Sequence, residues 1–517
     1  MRRPVDVAIV GSGLGGLMAG ALLAKRGFSV ALLERSDHFG GAASTTRRAG
    51  LSLGAPGDEG RTPGDPNRRH LAELGLLAEL DLVGVPDLFE VRGGPVGAPF
   101  RLPFGFDAAK AAVADRFPDA ARGAARVLDD MARVARALQT TATSPGMAGM
   151  LAHAPRMARD VWPIVSGWDR TLDGVLARTL DGHEDAKFAL AANLSSFDDR
   201  PADLWWPGFA AAQSASLANG ITYLRGGAQV LADRLVEVIR QNGGSAITGR
   251  PVTDILLAAD GSVRGISHSA AEGGAAEEIH APVVLANAAP TVVTGMLPAD
   301  ARAGFVDAFR GNALSISLFA AHFALARRPA DFGVGSHSTI LLPDGMERLD
   351  GVAACAALMG DMPGTALPLL DMVDHSAIEA GGASEAPYLL SVVGVDRVAN
   401  WDGLDPAAHD DRRDAWLSAI EGEIDRQFPG LASAITSRML ASASTHARAL
   451  NAPGGAVYGF APSPPRTPVW KGYPRSCDTP VPGLLLASAY AGAGGFAGAL
   501  KAGGQAAERV TRAGSGR

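Results

Sequence analysis

Cysteine is almost missing from this 517-residue chain, with only Cys355 and Cys477 present. Two thiols cannot form a disulfide framework or a multi-thiolate metal site, so both read as simple reduced thiols, which fits a cytoplasmic compartment. A basic excess is missing too. Lys and Arg number 47 against 54 Asp and Glu, and the net charge of −7 is spread without a long single-sign run. Nucleic acid is therefore not expected as a partner. No run approaches the roughly 18 apolar residues of a membrane-spanning helix. Met1-Arg2-Arg3 ahead of residues 5–10 has the outline of a secretion signal, but the apolar stretch is short and Gly11 interrupts it. No histidine, cysteine and acid spacing suggests a metal site, and none is expected. With 47% hydrophobic and 20% charged residues the chain is neither disordered nor fibrous. At roughly 150 residues per domain it is about three domains' worth of chain, ample for a core without staples.

Residues 5–10 read as a short buried strand, ended by Gly11-Ser12-Gly13-Leu14-Gly15-Gly16. Helix formers follow to Lys25, Gly27 is a plausible C-cap, and residues 28–33 form a second strand closing on Glu34. Glycines between a strand and a helix, with an acid about 20 residues on, make the dinucleotide fingerprint. Gly11 permits the tight turn, Gly13 lets a pyrophosphate approach the backbone, and Gly16 lets helix and strand pack closely. The N–H groups of Leu14, Gly15 and the residues beside them face the phosphates at the helix N-terminus. Glu34 suits ribose hydroxyls, and its charge disfavours a 2′-phosphate.

Both NAD and FAD use this fingerprint. Downstream, Glu34-Arg35 is followed by a second glycine turn, Gly40-Gly41-Ala42. An acid on strand two followed by such a turn resembles the flavoproteins that include phytoene desaturases, carotenoid isomerases, retinol saturases and, more distantly, flavin amine oxidases. Many of those relatives carry arginine where this chain has Ala42, which weakens one expected flavin contact but not the fold, and Ala42 is still counted with the cofactor-binding turn. Two distant blocks continue the resemblance. Residues 221–227, with Arg225-Gly226-Gly227, lead into a helical pattern whose apolar face is Leu231, Leu235, Val238 and Ile239. Strands at 246–252 and 253–257 follow, then a hairpin at Asp260-Gly261, a strand at 263–266 and a buried strand at 283–288. In the family the residue matching Val252 meets the adenine through its backbone. The last block, 482–499, runs from a buried strand through Tyr490 into Gly495-Phe496-Ala497 and a helix to about Thr511. By resemblance its turn lies against the flavin ring, where backbone donors stabilise negative charge on the reduced ring. Residues 451–460 resemble the segment just upstream.

The expected fold is α/β. A Rossmann-type FAD-binding domain is assembled from three chain segments, 1–60, 222–300 and 441–517, beside a mixed α+β substrate domain formed by two insertions, 61–221 and 301–440. The first insertion reads as mostly helical, with a helix at 120–138 and an apolar stretch at 147–165 containing Met147, Met150, Met157 and Trp162. That stretch suits core, the lining of a tunnel, or peripheral contact with the inner face of a membrane. Residues 197–209, with Trp205 and Trp206, could wall a pocket, and 315–325 and 388–395 look like strands beneath a substrate cavity. His322, His337 and His446 read as structural.

The resemblance implies an FAD-dependent oxidoreductase acting on a carbon–carbon bond of an apolar substrate of isoprenoid or polyene kind. Desaturation and saturation use the same hydride exchange with flavin N5, so direction stays open, as does the electron acceptor: oxygen, quinone or another protein. The alternatives are a flavin amine oxidase, for which 6% aromatic residues offer little cage, and a reduced-flavin cis–trans isomerase without net turnover. Catalytic candidates are Arg225, beside the paired glycines, and Tyr490. Residues 50–54 match the nucleophile-elbow pattern around Ser52, but Pro56 and Gly57 follow where that motif needs a helix.

Overall fold

The computed structural model describes residues 4–44, 46–48, 51–53, 66–143, 162, 164–269, 275–379, 385–468, 475–492 and 494–514. Five parallel strands form the central sheet of one domain, in the order Leu484–Leu486, Val283–Ala286, Val7–Val10, Val30–Leu33, Ser245–Ile247. All four residues of Val7–Val10 are buried, as befits a strand covered on both faces. Helix Leu14–Lys25 has no polar stripe because it has no solvent face: residues 14 to 24 are all buried, with helices Ala228–Gln241 and Gly495–Gly514 packed against it. Strands from residues 7–33, 245–286 and 484–486 pair within this one sheet. The expected strand at 246–252 stops at Ile247, and a short loop precedes Val252–Leu257, which pairs antiparallel with Val263–His268.

The domain cores depart from the expected boundaries. Leu71, Leu74, Leu76 and Leu80 join the core of the cofactor domain, so its first segment runs past residue 60. Phe305 joins it as well, from helix Ala299–Phe309 beyond residue 300. In the other direction, helix Ala443–Leu450 belongs with the second domain, where the backbone N–H of Ala443 donates to Asp396.

That second domain is built on a seven-stranded sheet in the order Ile435–Ala441, Ser317–Leu325, Tyr388–Asp396, Leu370–Asp374, Ser338–Leu342, Asp87–Gly93, Gly97–Pro103. The first insertion therefore supplies two strands to the sheet and is not only helical. Helix Pro406–Gln427 covers one face, with Trp416, Ile420 and Ile424 against Phe319, Phe323, Met372, Leu390 and Val392. Side chains of the other parity turn away from that helix. Both cysteines are buried and free. Among the described residues no helix is long and apolar enough to cross a membrane.

Candidate active site

In an open parallel sheet ligands bind beyond the carboxyl ends of the strands, where neighbouring connections leave in opposite directions. Here that point lies between Val7–Val10 and Val283–Ala286, and Gly11 to Gly16 leave from it. Helix Leu14–Lys25 opens with Gly13 as its N-cap, without a side-chain cap and without an acid in its first turn. Its N-terminal N–H groups and positive dipole end are uncompensated, which suits an anion. Gly40, at φ 114°, bridges to Gly13, and a Cβ on Gly41 would stand 3.1 Å from the Gly13 Cα. The two glycine turns, 27 residues apart by number from Gly13 to Gly40, form one cradle.

Asn287 knits the three segments together, and the sequence reading had passed it over as the end of a strand. Its backbone N–H donates to Val10 at 2.8 Å and its Nδ2 donates to the Ala487 carbonyl at 2.5 Å. A Cβ at Gly13 would fall 2.4 Å from its Oδ1, so Gly13 is required by Asn287 as well as by any ligand. Gly15 approaches even more closely, where a Cβ would be 2.1 Å from the Ala487 carbonyl oxygen and 2.9 Å from that of Ala499. Gly503 returns the contact, 2.1 Å from the Gly15 carbonyl oxygen by the same measure. Glycine on both helices lets the last segment cross the first at backbone distance.

Glu34 is 7% exposed and its carboxylate is fully engaged. Oε2 accepts from Ser12 N–H at 2.8 Å and Ser12 Oγ at 2.7 Å, while Oε1 accepts from Ser36 N–H at 2.9 Å and Ser36 Oγ at 2.7 Å. These four bonds fill the acceptor sites of a carboxylate. Burial pushes the Glu34 carboxyl up, but the donations from Ser36 and Ser12 outweigh it and hold it below the usual range. Any further donor at Glu34 would have to replace a serine hydroxyl, and Ser36 Oγ has a second acceptor within reach, the His38 carbonyl at 2.9 Å. Ser12 and Ser36 went unremarked in the sequence. Ser12 is signalled as a polar residue inside the glycine fingerprint, whereas Ser36, two residues after Glu34, carries no such signal.

Arg35 is exposed and donates to the Ala449 carbonyl, while Ala42 is exposed with no side chain to reach further. Val252 is buried at the start of its strand, and the preceding residues run beside the acid: Arg250 N–H donates to the Glu34 carbonyl at 2.8 Å. Gly495, at φ 76°, opens helix Gly495–Gly514 with Phe496 half-buried and Ala497 exposed. Tyr490 is 9% exposed and its ring meets Phe460 edge-on at 5.0 Å. Its hydroxyl has no partner among the described residues, and burial pushes it up to about 12. An uncompensated helix N-terminus, a double glycine cradle and an orphaned buried hydroxyl are features that a bound dinucleotide would satisfy.

Arg225 does not join this group. Its Nε donates to Asp81 at 2.6 Å and it also pairs with Glu379, with the side chain 45% exposed. The guanidinium clamps two surface segments through Asp81 and Glu379. Of the stretch 147–165, only Trp162, Ile164 and Val165 lie within the described residues. Trp162 is 62% exposed. Trp205 and Trp206 are buried core residues, with Trp206 donating to Asp130 at 3.0 Å. Ser52 sits inside strand Leu51–Leu53, paired to Thr46–Arg48, so the nucleophile-elbow context is absent.

The face of the seven-stranded sheet turned away from helix Pro406–Gln427 carries Leu318, His322, Asp371, Val373 and Val393, all half-buried although their strands are internal to the sheet, while Ile340 and Val395 on the same face are buried in a second core. Ser391 lies on the same face. Its Oγ is 2.8 Å from His322 Nδ1 and 2.8 Å from His375 Nε2. One hydroxyl proton means that Ser391 donates to one ring and accepts from the other. Burial, helped by neighbouring imidazoles, lowers His322 to about 4 and His375 to about 3, so both rings are neutral at pH 7.

Residues 9–68 match the NAD(P)-binding Rossmann-like domain family. A phytoene desaturase (neurosporene-forming) of Rhodobacter capsulatus is 26% identical over 500 residues, 93% of this chain and 89% of that protein. This chain is similar to that enzyme along most of its length. It is also similar to all-trans-retinol 13,14-reductase of Macaca fascicularis, 26% identical over 319 residues, 58% of this chain. The match spans half the length of that reductase, 50%. Among solved structures, cyclohexylamine oxidase from Brevibacterium oxydans superposes with a TM-score of 0.62 at 14% identity, covering 99% of this chain and 100% of that one. A putrescine oxidase does so at 0.61 and 16%, covering 98% and 99%. The chain thus shares its fold with these two amine oxidases.

Proposed function

We propose that this protein is an FAD-dependent oxidoreductase that desaturates or saturates a carbon–carbon bond of an apolar substrate of isoprenoid or polyene kind. The observation that carries FAD is the glycine-lined crossing of Gly15 with Ala487, Ala499 and Gly503. It draws the N-terminal end of the last helix against the phosphate cradle, an enclosure suited to a resident group rather than an exchanging one. In this reading the N–H groups at Leu14, Gly15 and Gly16 hold the pyrophosphate, with the Gly40-Gly41-Ala42 turn and Arg35 alongside. Glu34 holds the ribose, Val252 the adenine, and Gly495, Phe496 and Ala497 border the ring. Bound FAD supplies hydride exchange at N5. The protein binds, orients and excludes water, and the half-buried, mostly apolar sheet face supports an apolar substrate. The phytoene desaturase alignment over most of the chain supports carbon–carbon chemistry. The electron acceptor is oxygen, a quinone or another protein, and the exposed Trp162 is a point at which the chain would touch a membrane to collect such a substrate.

The test is anaerobic mixing. Phytoene should bleach the flavin band of the purified protein, or all-trans-retinol should restore the band of the dithionite-reduced protein. Bleaching by putrescine or cyclohexylamine alone would move the reading to amine oxidation. A product isomerised at unchanged mass would move it to isomerisation.

A further inference from the structure

Strand Leu370–Asp374 lies in the interior of the seven-stranded sheet, paired to Ser338–Leu342 on one side and Tyr388–Asp396 on the other. Leu370 and Met372 point into the core beneath helix Pro406–Gln427. Asp371 therefore points the opposite way, on the face that carries His322 and Ser391. Its cross-strand neighbours are Ile340 and Val393, both apolar. Oδ1 accepts from Ser338 Oγ at 3.0 Å. No cation stands within ion-pair distance of it among the described residues. A carboxyl group in apolar company, kept by one hydroxyl and left half-buried, has no evident part in holding the sheet together.

Its surroundings link it to the cofactor turn. Tyr458 is close enough that the Asp371 charge, added to burial, pushes the phenol up to about 12. The same tyrosine borders the start of the last helix. A Cβ at Gly494 would fall 2.4 Å from the Tyr458 carbonyl oxygen, and one at Gly495 would stand 4.0 Å from its ring. The sequence Asp371, Tyr458, Gly495 thus runs from the sheet face to the segment read as bordering the flavin. Among the described residues, the other titratable groups beside this face are His322 and His375, joined through Ser391, and His446, which acts on His322. Ser391 pairs with Val373, one row along from Asp371 and Val393.

We propose that Asp371 is the catalytic acid–base of the reaction, the group that exchanges with the substrate the proton that accompanies hydride transfer. This rests on the flavin reading above. In desaturation one carbon loses hydride to the oxidised flavin. The adjacent C–H bond gives its proton to the Asp371 carboxylate and its electron pair to the new double bond. In saturation the protonated carboxyl returns that proton to one carbon as hydride reaches the other. Desolvation pushes Asp371 up to about 6, against the opposing pull of Ser338, so both protonation states are available near neutral pH.

Asp371→Asn is isosteric and removes the titration. Two measurements on the FAD-loaded protein test the proposal. The infrared C=O band of a protonated carboxyl should titrate near pH 6 in the wild type and be missing from Asp371→Asn. In anaerobic mixing with phytoene, or of the reduced protein with all-trans-retinol, Asp371→Asn should slow the flavin absorbance change by at least 100-fold. The substrate concentration giving half-maximal rate should move less than threefold. An Asp371→Asn variant that binds FAD and reacts at the wild-type rate overturns the proposal. So does a variant in which only the half-saturating concentration rises, which would make Asp371 a substrate anchor. Wild-type protein without FAD overturns the functional reading instead, and the spectrum alone distinguishes that case.

Discussion

Adding a single methyl group at Gly15 should open the crossing on which the cofactor enclosure depends. In Gly15→Ala the new Cβ would lie 2.1 Å from the Ala487 carbonyl oxygen and 2.9 Å from that of Ala499, whereas ordinary contact begins near 3.4 Å. Both obstacles are backbone, so no rotamer change relieves them. Set against 3.4 Å, the exit of strand Leu484–Leu486 must move by about 1.3 Å (3.4 − 2.1) and the start of helix Gly495–Gly514 by about 0.5 Å (3.4 − 2.9). Overpacking of this kind costs about 1–3 kcal/mol. Alanine returns about 1 kcal/mol of helix propensity, leaving a net loss of about 0–2 kcal/mol. The displacement also pulls Gly495 and Phe496 away from the cradle, so cofactor retention should suffer more than stability. Urea unfolding gives the first quantity, and the ratio of flavin to protein absorbance after gel filtration gives the second. Gly304→Ala is the control, since Gly304 lies inside helix Ala299–Phe309 with nothing within 4 Å of its added Cβ, and it should gain up to about 1 kcal/mol. A Gly15→Ala protein as stable as the Gly304→Ala control and fully loaded with cofactor would refute the reasoning.

Glu34→Gln should cost about 2–4 kcal/mol in urea unfolding at pH 7, because the amide NH2 cannot accept from one serine's N–H and hydroxyl. Since Glu34 titrates below the usual carboxylate range when folded, its stabilisation is complete above that range and disappears as pH falls through the lowered value. Unfolding curves of Glu34→Gln and wild type should therefore converge in acid. Ser391→Ala leaves two buried imidazole nitrogens without their shared partner and should cost about 1–3 kcal/mol by the same assay. With His322 lowered to about 4 and His375 to about 3, the unfolded chain takes up protons first, so wild-type stability should fall as pH drops below the ordinary histidine range toward 4. Arg225→Ala should change turnover less than twofold and stability by no more than about 1 kcal/mol, because it removes only half-exposed ion pairs.

The parts of the molecule legible in the sequence are those whose cause is local. Gly11 to Gly16 between an apolar strand and an apolar helix admits few other folds, and the two later blocks carry the same strand-to-small-residue pattern. Long-range pairing was less legible. The strand Asp87–Gly93 seemed to belong to a helical insertion because its partner, Ser338–Leu342, lies almost 250 residues away. Leu71 and Leu74 form an ordinary apolar helix face until the last helix arrives to cover it. Asn287 is one polar residue after an apolar strand, and its importance depends on the positions of Gly13 and Ala487. Asp371 lies in a short strand whose alternation with Leu370 and Met372 marks which face it takes. What that face meets depends on Tyr458, 87 residues later by number. Arg225 beside paired glycines suggests chemistry, and its pairing with Asp81 and Glu379 was not legible either.

The identity of the bound cofactor tests the central claim most directly. The purified protein should show a flavin absorption spectrum, and denaturation should release FAD, identified by chromatography and mass, at about one per chain. Protein that emerges without flavin, refuses added FAD and binds NAD would contradict the account and make Glu34 the ribose acid of a dehydrogenase.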